Sequence, residues 1–289
     1  MPILAIRHIT TYYYKKPVAF GEHRMMLHPR DDGDQKVLER ELVITPEPSQ
    51  LSWTRDSHGN HVATAHFADQ ASELRFESKF HLDHAPAGFR GADIADFAWI
   101  YPFAYLAEDR PGLARNIAPL FPHASVDRWA ATFLRADGSA DTYRLLVDMT
   151  QTIKRAFEHR ARHEKGTQHP ALTLKLASGS CRDVAVLMIE ALRSLGIAAR
   201  FVSGYLHLAD DDDDGLTGGN THAWVQVYVP GLGWVDFDPS SGTVGNQNLV
   251  RVAVVHDPRH AIPLHGTWIG RASDHLAMKV AVKVTLAAP

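Results

Sequence analysis

The spacing of apolar side chains changes character along this chain. Over residues 1–90 the stretches Ile3–Tyr14, Val37–Ile44, Asn60–Phe67 and Leu74–Leu82 alternate in part and are rich in β-branched and aromatic residues. Turn signals such as Asp31-Asp32-Gly33-Asp34, Pro46-Glu47-Pro48 and Ser57-His58-Gly59-Asn60 separate them. Short strands so arranged predict a small antiparallel β-sandwich domain. Tyr12-Tyr13-Tyr14 falls in the first strand and reads as sheet packing, not as a ligand platform. Residues 91–124 hold Pro102, Pro111, Pro119 and Pro122 with few clear periods. They read as a connector with short helices that drapes over the next domain.

Helical spacing takes over in residues 125–289. Ser125 is placed to cap a helix carrying Trp129, Phe133 and Leu134, and Asp141 to cap a longer one carrying Leu145, Leu146, Met149, Ile153 and Phe157. A third apolar series, Val184, Leu187, Met188, Ala191, Leu192 and Leu195, predicts a buried helix. Gly179 and Ser180 supply its turn and N-cap, and Gly196 its stop. Strands follow at Ala198–Leu206, Thr221–Val229 and Trp234–Asp238, the last two joined by the turn Pro230-Gly231-Leu232-Gly233. Between them Asp210–Asp214 reads as a solvated loop; an EF-hand is excluded, because its ligands are spaced along a loop closed by a downstream Glu. Met278, Val280, Val282, Val284 and Leu286 alternate as a closing strand with one buried face.

Composition narrows the class. With 289 residues, 45% hydrophobic and 22% charged, the chain reads as a soluble globular protein with a sizeable core. A net charge of -3 without a Lys/Arg block points away from nucleic acid. Met1–His8 lacks a secretory pattern, and no apolar run is long enough for a membrane span. The single cysteine forms no internal disulfide, so a reducing cytoplasm is the expected location.

That cysteine, Cys181, sits in Ser178-Gly179-Ser180-Cys181-Arg182-Asp183 at the start of the buried helix. Unpaired amides and the helix dipole there favour a thiolate. A lone cysteine is commonly a small core residue, but here His222 and Asp238 follow on adjacent strands. Cys181 is then the nucleophile, His222 its ion-pair partner and proton donor to a leaving amine, and Asp238 the group that orients the imidazole. Both partners are even-numbered, so they share a sheet face only if the hairpin connection is odd in length or bulged. Direct opposition would centre the turn on Pro230, and Asp236, with the same parity, is the decoy. The Cys181 N–H is one oxyanion donor; Gln168 is a weak candidate for a second. Asp183 reads as a partner of the helix dipole. A single Cys without a second Cys or paired His disfavours zinc at this position, and no metal or cofactor is expected.

Several motifs resemble the transglutaminase-like superfamily of cysteine enzymes. They are Gly179-Ser180-Cys181-Arg182-Asp183, Ala198-Ala199-Arg200-Phe201-Val202-Ser203-Gly204-Tyr205-Leu206, Thr221-His222-Ala223-Trp224, and Gly233-Trp234 through Asp238-Pro239-Ser240. The family's catalytic Cys, His and Asp fall on Cys181, His222 and Asp238; the family Asp precedes Pro, which selects Asp238 over Asp236. Ser240 stands where the family usually has Thr, and keeps a hydroxyl. His8-Ile9-Thr10-Thr11-Tyr12, Pro17-Val18, His23-Arg24, Leu27-His28-Pro29-Arg30 and Asp56-Ser57-His58-Gly59-Asn60 resemble the β-rich N-terminal domain of bacterial members. The resemblance implies an α+β, papain-like core, with the Cys helix packed on an antiparallel sheet.

The expected activity is thiol-dependent acyl transfer or hydrolysis on a peptide or protein amide through a thioester, leaning to a peptidase or amidase. Transfer to an amine acceptor is the alternative, and a non-catalytic scaffold a further one. The sequence leaves the oligomeric state open.

Overall fold

The computed structural model describes residues 3–85, 88–162, 164–207 and 219–287. The expected Asp210–Asp214 loop lies outside them. The first part of the chain forms β1 (Ile3–Met25), β2 (Gln35–Thr45), β3 (Gln50–Arg55), β4 (His61–His66) and β5 (Gln70–His84). Then come β6 (Ile100–Tyr101), α1 (Arg110–Ile117), α2 (Ala124–Ala131), β7 (Ala140–Asp141), α3 (Thr142–Ala156), β8 (Glu158–His159), α4 (Pro170–Leu176), β9 (Ser178–Gly179) and α5 (Cys181–Ser194). The rest is β10 (Ala199–His207), β11 (Gly219–Val229), β12 (Gly233–Asp238), β13 (Thr243–Val244), β14 (Leu249–Val255), β15 (Leu264–Ile269) and β16 (His275–Leu286).

The N-terminal strands make an antiparallel sheet in the order β2-β5-β1-β4-β3. β1 runs well past the expected Tyr14, and β3 was not anticipated. Its alternation consists of Leu51 and Trp53 alone, both exposed on the sheet's edge, which is too short a pattern to set it apart. The closing strand pairs with the first one. β16 lies along β1, from Leu4 opposite Leu286 to Tyr14 opposite His275, and β15 pairs with the later part of β1. The last strands thus complete the first sheet. Val282 and Val284 of β16 are buried with Leu4, Ile6, Phe80 and Leu82 against Tyr205, Val250 and Val252 of the second sheet. Met278, Val280 and Leu286 on the same alternation are exposed.

The second sheet has the order β13-β12-β11-β10-β14. Its β14 edge is closed by amide side chains of the N-terminal domain, which limits the unpaired backbone of an edge strand. Asn60 donates to the Val254 carbonyl (3.0 Å) and accepts from its N–H (2.9 Å). Gln35 does the same at Arg251, at 2.8 and 2.9 Å.

α5 begins and ends where the sequence expects, and every residue from Asp183 to Arg193 is buried. Its apolar side chains pack on Ala223, Val225, Val227, Phe201 and Phe237 of the sheet. Burial of each large one contributes about 1.5–3 kcal/mol. Near its C-terminal end Glu190 and Arg193 pair at 3.1 Å. Glu190 accepts the Leu120 and Phe121 N–H groups, and Arg193 donates to the Asn116, Ala199 and His256 carbonyls. These bonds fasten the connector to the helix. α3 is capped as expected, with the Asp141 carboxylate accepting the Arg144 N–H (2.9 Å). α2 is capped by His123, not Ser125, because the His123 ring accepts the Ser125 N–H. Among the described residues no helix is long and apolar enough to cross a membrane.

Candidate active site

Residues 178–183 build the helix start from strong local bonds. β9 pairs in parallel with β8, which fixes the chain entering α5. Asp183, wholly buried, accepts from the Ser180 N–H (2.9 Å) and hydroxyl (2.8 Å), the Gln168 N–H (2.6 Å) and Arg162 (2.8 Å). Burial alone would raise its pKa, but these donors hold it below the ordinary carboxylate value. That is the expected role beside the helix dipole. Gly179 makes room for it: a Cβ there would lie 2.8 Å from the Asp183 Cβ. Cys181 is then held at the first helical position, partly exposed, with its backbone N–H among the amides that lack an intrahelical acceptor.

The hairpin has the required odd connection but a shifted centre. Val225 faces Phe237 and Val229 faces Gly233, so the turn is Pro230–Leu232, centred on Gly231. Continuing that register places Asp238 across from Trp224, and His222 on the diagonal. Diagonal neighbours remain within reach of long side chains. His222 Nε2–H donates to Asp238 Oδ2 at 2.9 Å. Cys181 lies beside the same ring, where it joins Asp238 in raising the His222 pKa, and both line one cleft. Cys181, His222 and Asp238 are therefore brought together.

The buried Asp238 carboxylate is held by more than His222. Its Oδ1 accepts from the Ser240 N–H (2.9 Å) and hydroxyl (2.7 Å), and its Oδ2 from the Ser241 hydroxyl (2.6 Å). Against the opposing effect of burial, the His222 contact and these hydroxyls lower its pKa to about 2. For His222 burial opposes protonation, yet the bonds and charges of Asp238 and Cys181 raise its pKa to about 10. Asp236 is engaged elsewhere: it accepts from Trp224 Nε1 (2.6 Å) and Arg251 Nη1 (3.2 Å). Trp224 stacks beside the His222 ring at 6.1 Å.

Gln168 does not fill the role considered for it. Its side-chain amide donates to Thr173 Oγ1 (3.0 Å) and the Ser178 carbonyl (3.1 Å), because its loop tucks under the helix start. It is not among the residues of the cleft wall.

That cleft, about 1040 Å³, opens beside Cys181 and His222. Ser180, Arg182, Ser203 and Thr221 form its core side; Tyr12, Tyr14, His23, Leu264, Trp268 and Met278 form a second wall from β1, β15 and β16. Tyr14 does pack within the sheet, against Phe20 and Trp268, but it also faces the cleft with Tyr12. Their spacing of two residues was the available signal. Arg182 joins the two sides by donating to the Pro258 (3.3 Å) and Ala261 (3.2 Å) carbonyls.

Comparison with known proteins agrees with this architecture. Residues 4–83 match the family described as the bacterial transglutaminase-like N-terminal region, and residues 131–239 match the transglutaminase-like superfamily. Uncharacterised protein Rv2569c of Mycobacterium tuberculosis is 28% identical over 96% of this chain and 91% of its own length. Uncharacterised protein ML0607 of Mycobacterium leprae is 38% identical over 36% of this chain, a stretch that spans 37% of that protein. A solved structure from Cytophaga hutchinsonii, named as a candidate cysteine protease, shares the fold with a TM-score of 0.75 at 19% identity, covering 99% of this chain and 92% of that one. The chain belongs to the transglutaminase-like superfamily, as a core of that family behind a bacterial transglutaminase-like N-terminal domain.

Proposed function

We propose that this protein is a cysteine hydrolase of peptide or isopeptide bonds. One observation carries the reading: His222, bonded to the buried Asp238, lines a large cleft together with the partly exposed Cys181. In the proposed cycle the Cys181 sulfur attacks the amide carbon, and the carbonyl oxygen takes up the electron pair beside the Cys181 N–H. As the tetrahedral intermediate collapses, His222 gives its proton to the departing nitrogen, and an amine leaves a thioester on Cys181. His222 then takes a proton from water, whose oxygen attacks the thioester and regenerates the thiol and a carboxylic acid. Asp238 keeps the Nε2–H tautomer and orientation throughout.

The cleft size supports a chain segment as substrate, since it lies at the upper end of the range for small-molecule sites. Partial exposure of Cys181 supports water as acceptor, because water can reach the thioester.

The test uses glutamine-containing protein substrates with a labelled primary amine, measuring new amino termini and ammonia beside amine incorporation. Hydrolysis exceeding incorporation, both abolished in Cys181→Ala, is the expected result. Incorporation exceeding hydrolysis would transfer the assignment to amine transfer. No turnover, with Cys181 alkylation unaffected by His222→Ala, would leave a non-catalytic scaffold.

A further inference from the structure

Two histidines flanking the Pro258 turn, His256 and His260, meet His58 from the N-terminal domain, next to cleft-lining residues. His58 lies in the Asp56–Asn60 turn of the N-terminal domain, His256 directly follows β14, and His260 ends the short 3-10 turn Pro258–His260. Each offers one ring nitrogen, and these three atoms all lie within 4.8 Å of one another. His58 Nε2 and His256 Nδ1 are 3.0 Å apart. Two imidazole ligands on a tetrahedral zinc, with Zn–N of about 2.0–2.1 Å, stand about 3.4 Å apart. A slight opening of this pair and a small turn of the exposed His260 would complete a three-nitrogen face.

We propose that His58, His256 and His260 bind a Zn²⁺-class ion that clips the N-terminal domain to the wall of the cleft. A water completes the tetrahedron on the exposed His260 side.

Two further features fit that role. The Ser57 hydroxyl stands 3.4 Å from His58 Nδ1, the position of the outer partner that fixes a ligating imidazole's tautomer. An N/O donor set of imidazoles with water suits zinc better than magnesium or calcium.

The consequence reaches the active site through one segment. Pro258 and Arg259, between two of the ligands, line the cleft, and the Pro258 carbonyl takes the Arg182 guanidinium next to Cys181. A metal there would hold that segment, and with it the cleft's width, against the Asp56–Asn60 turn. Asn60 already ties this turn to β14.

The experiment is calorimetric titration of Zn²⁺ into untagged Cys181→Ser protein, which removes the thiol as a competing ligand. One equivalent should bind with a Kd of micromolar or tighter. His260→Ala and His58→Gln, each in that background, should weaken binding at least tenfold and abolish the rise in melting temperature that zinc gives the parent. His260 is exposed, so the metal-free melting temperature of His260→Ala should stay near that of the parent. Absence of saturable binding up to about 100 µM zinc in the parent, or unchanged affinity in His260→Ala, overturns the site. Affinity lost in His260→Ala but kept in His58→Gln overturns the clip between domains.

Discussion

Replacing Asp238 by Asn changes one oxygen to an NH2 group, yet it should remove the base of the proposed site. Asp238 is an acceptor at both ends, with Ser240 at Oδ1 and His222 and Ser241 at Oδ2. An Asn must turn a donor toward one of these sets. If its oxygen stays with the Ser240 N–H, its NH2 faces His222 Nε2. The ring must then accept there and carry its proton on Nδ1, toward Cys181. The energetic stake follows from the His222 pKa of about 10 against an ordinary 6.5. At about 1.4 kcal/mol per pH unit this is about 5 kcal/mol of preference for the imidazolium, shared between Asp238 and Cys181. Loss of even a third of it is a tenfold effect. The assay needs no substrate: it is the rate of Cys181 alkylation by iodoacetamide at pH 7, followed by mass. We expect Asp238→Asn to slow it at least tenfold, and His222→Ala to do the same. Alkylation of Asp238→Asn at the wild-type rate, with the fold intact by circular dichroism, would refute the reasoning.

The neighbouring Asp236→Asn should do the opposite: alkylation unchanged, but stability in urea lower by about 1.5–3 kcal/mol, because one charge-assisted bond from Trp224 or Arg251 is lost. Gly204→Ala should destabilise by about 3 kcal/mol in the same assay, since its Cβ would lie 1.9 Å from the Val250 carbonyl oxygen and 2.9 Å from the Trp224 ring. The pKa of Asp238 is depressed in the fold, so its contribution is full above the unfolded value near 4 and is lost as pH falls through about 2. Unfolding free energy measured from pH 5 to 2 should therefore fall more gently in Asp238→Asn than in wild type; equal slopes would contradict this. Removing residues 264–289 should abolish the cooperative melt, because β1 loses two partner strands and the shared layer loses Val282 and Val284. A truncated chain that melts like the intact one would show that the N-terminal sheet stands without them.

What could be read from the sequence was local. α5 announced itself through apolar spacing between Ser180 and Gly196, and the hairpin through alternation on either side of a Pro-Gly turn. Parity alone demanded an odd connection between His222 and Asp238. It could not place the centre, since a shift of the turn from Pro230 to Gly231 keeps the faces and changes only opposition to diagonal contact. The pairing of β16 with β1 joins the two ends of the chain, and no periodicity encodes a partner at that separation. The same holds for His58, His256 and His260. The alternation of β16 was real, but only its Val282–Val284 part lies over the second sheet. Met278, earlier in the strand, reaches the cleft instead and stays exposed.

This division assigns different tasks to the two domains. The residues proposed for chemistry all come from the core, on α5, β11 and the end of β12, each fixed by bonds within that core. Much of the surface a substrate would meet belongs instead to β1, β15 and β16. Val282, Val284 and His8 join β1 and β16 to the core, whereas Tyr12 and Trp268 pack in the N-terminal sheet's own cluster and Met278 is exposed. Selectivity should therefore reside in Tyr12, Trp268 and Met278, and substitutions there should alter KM for a given peptide while leaving the alkylation rate of Cys181 unchanged.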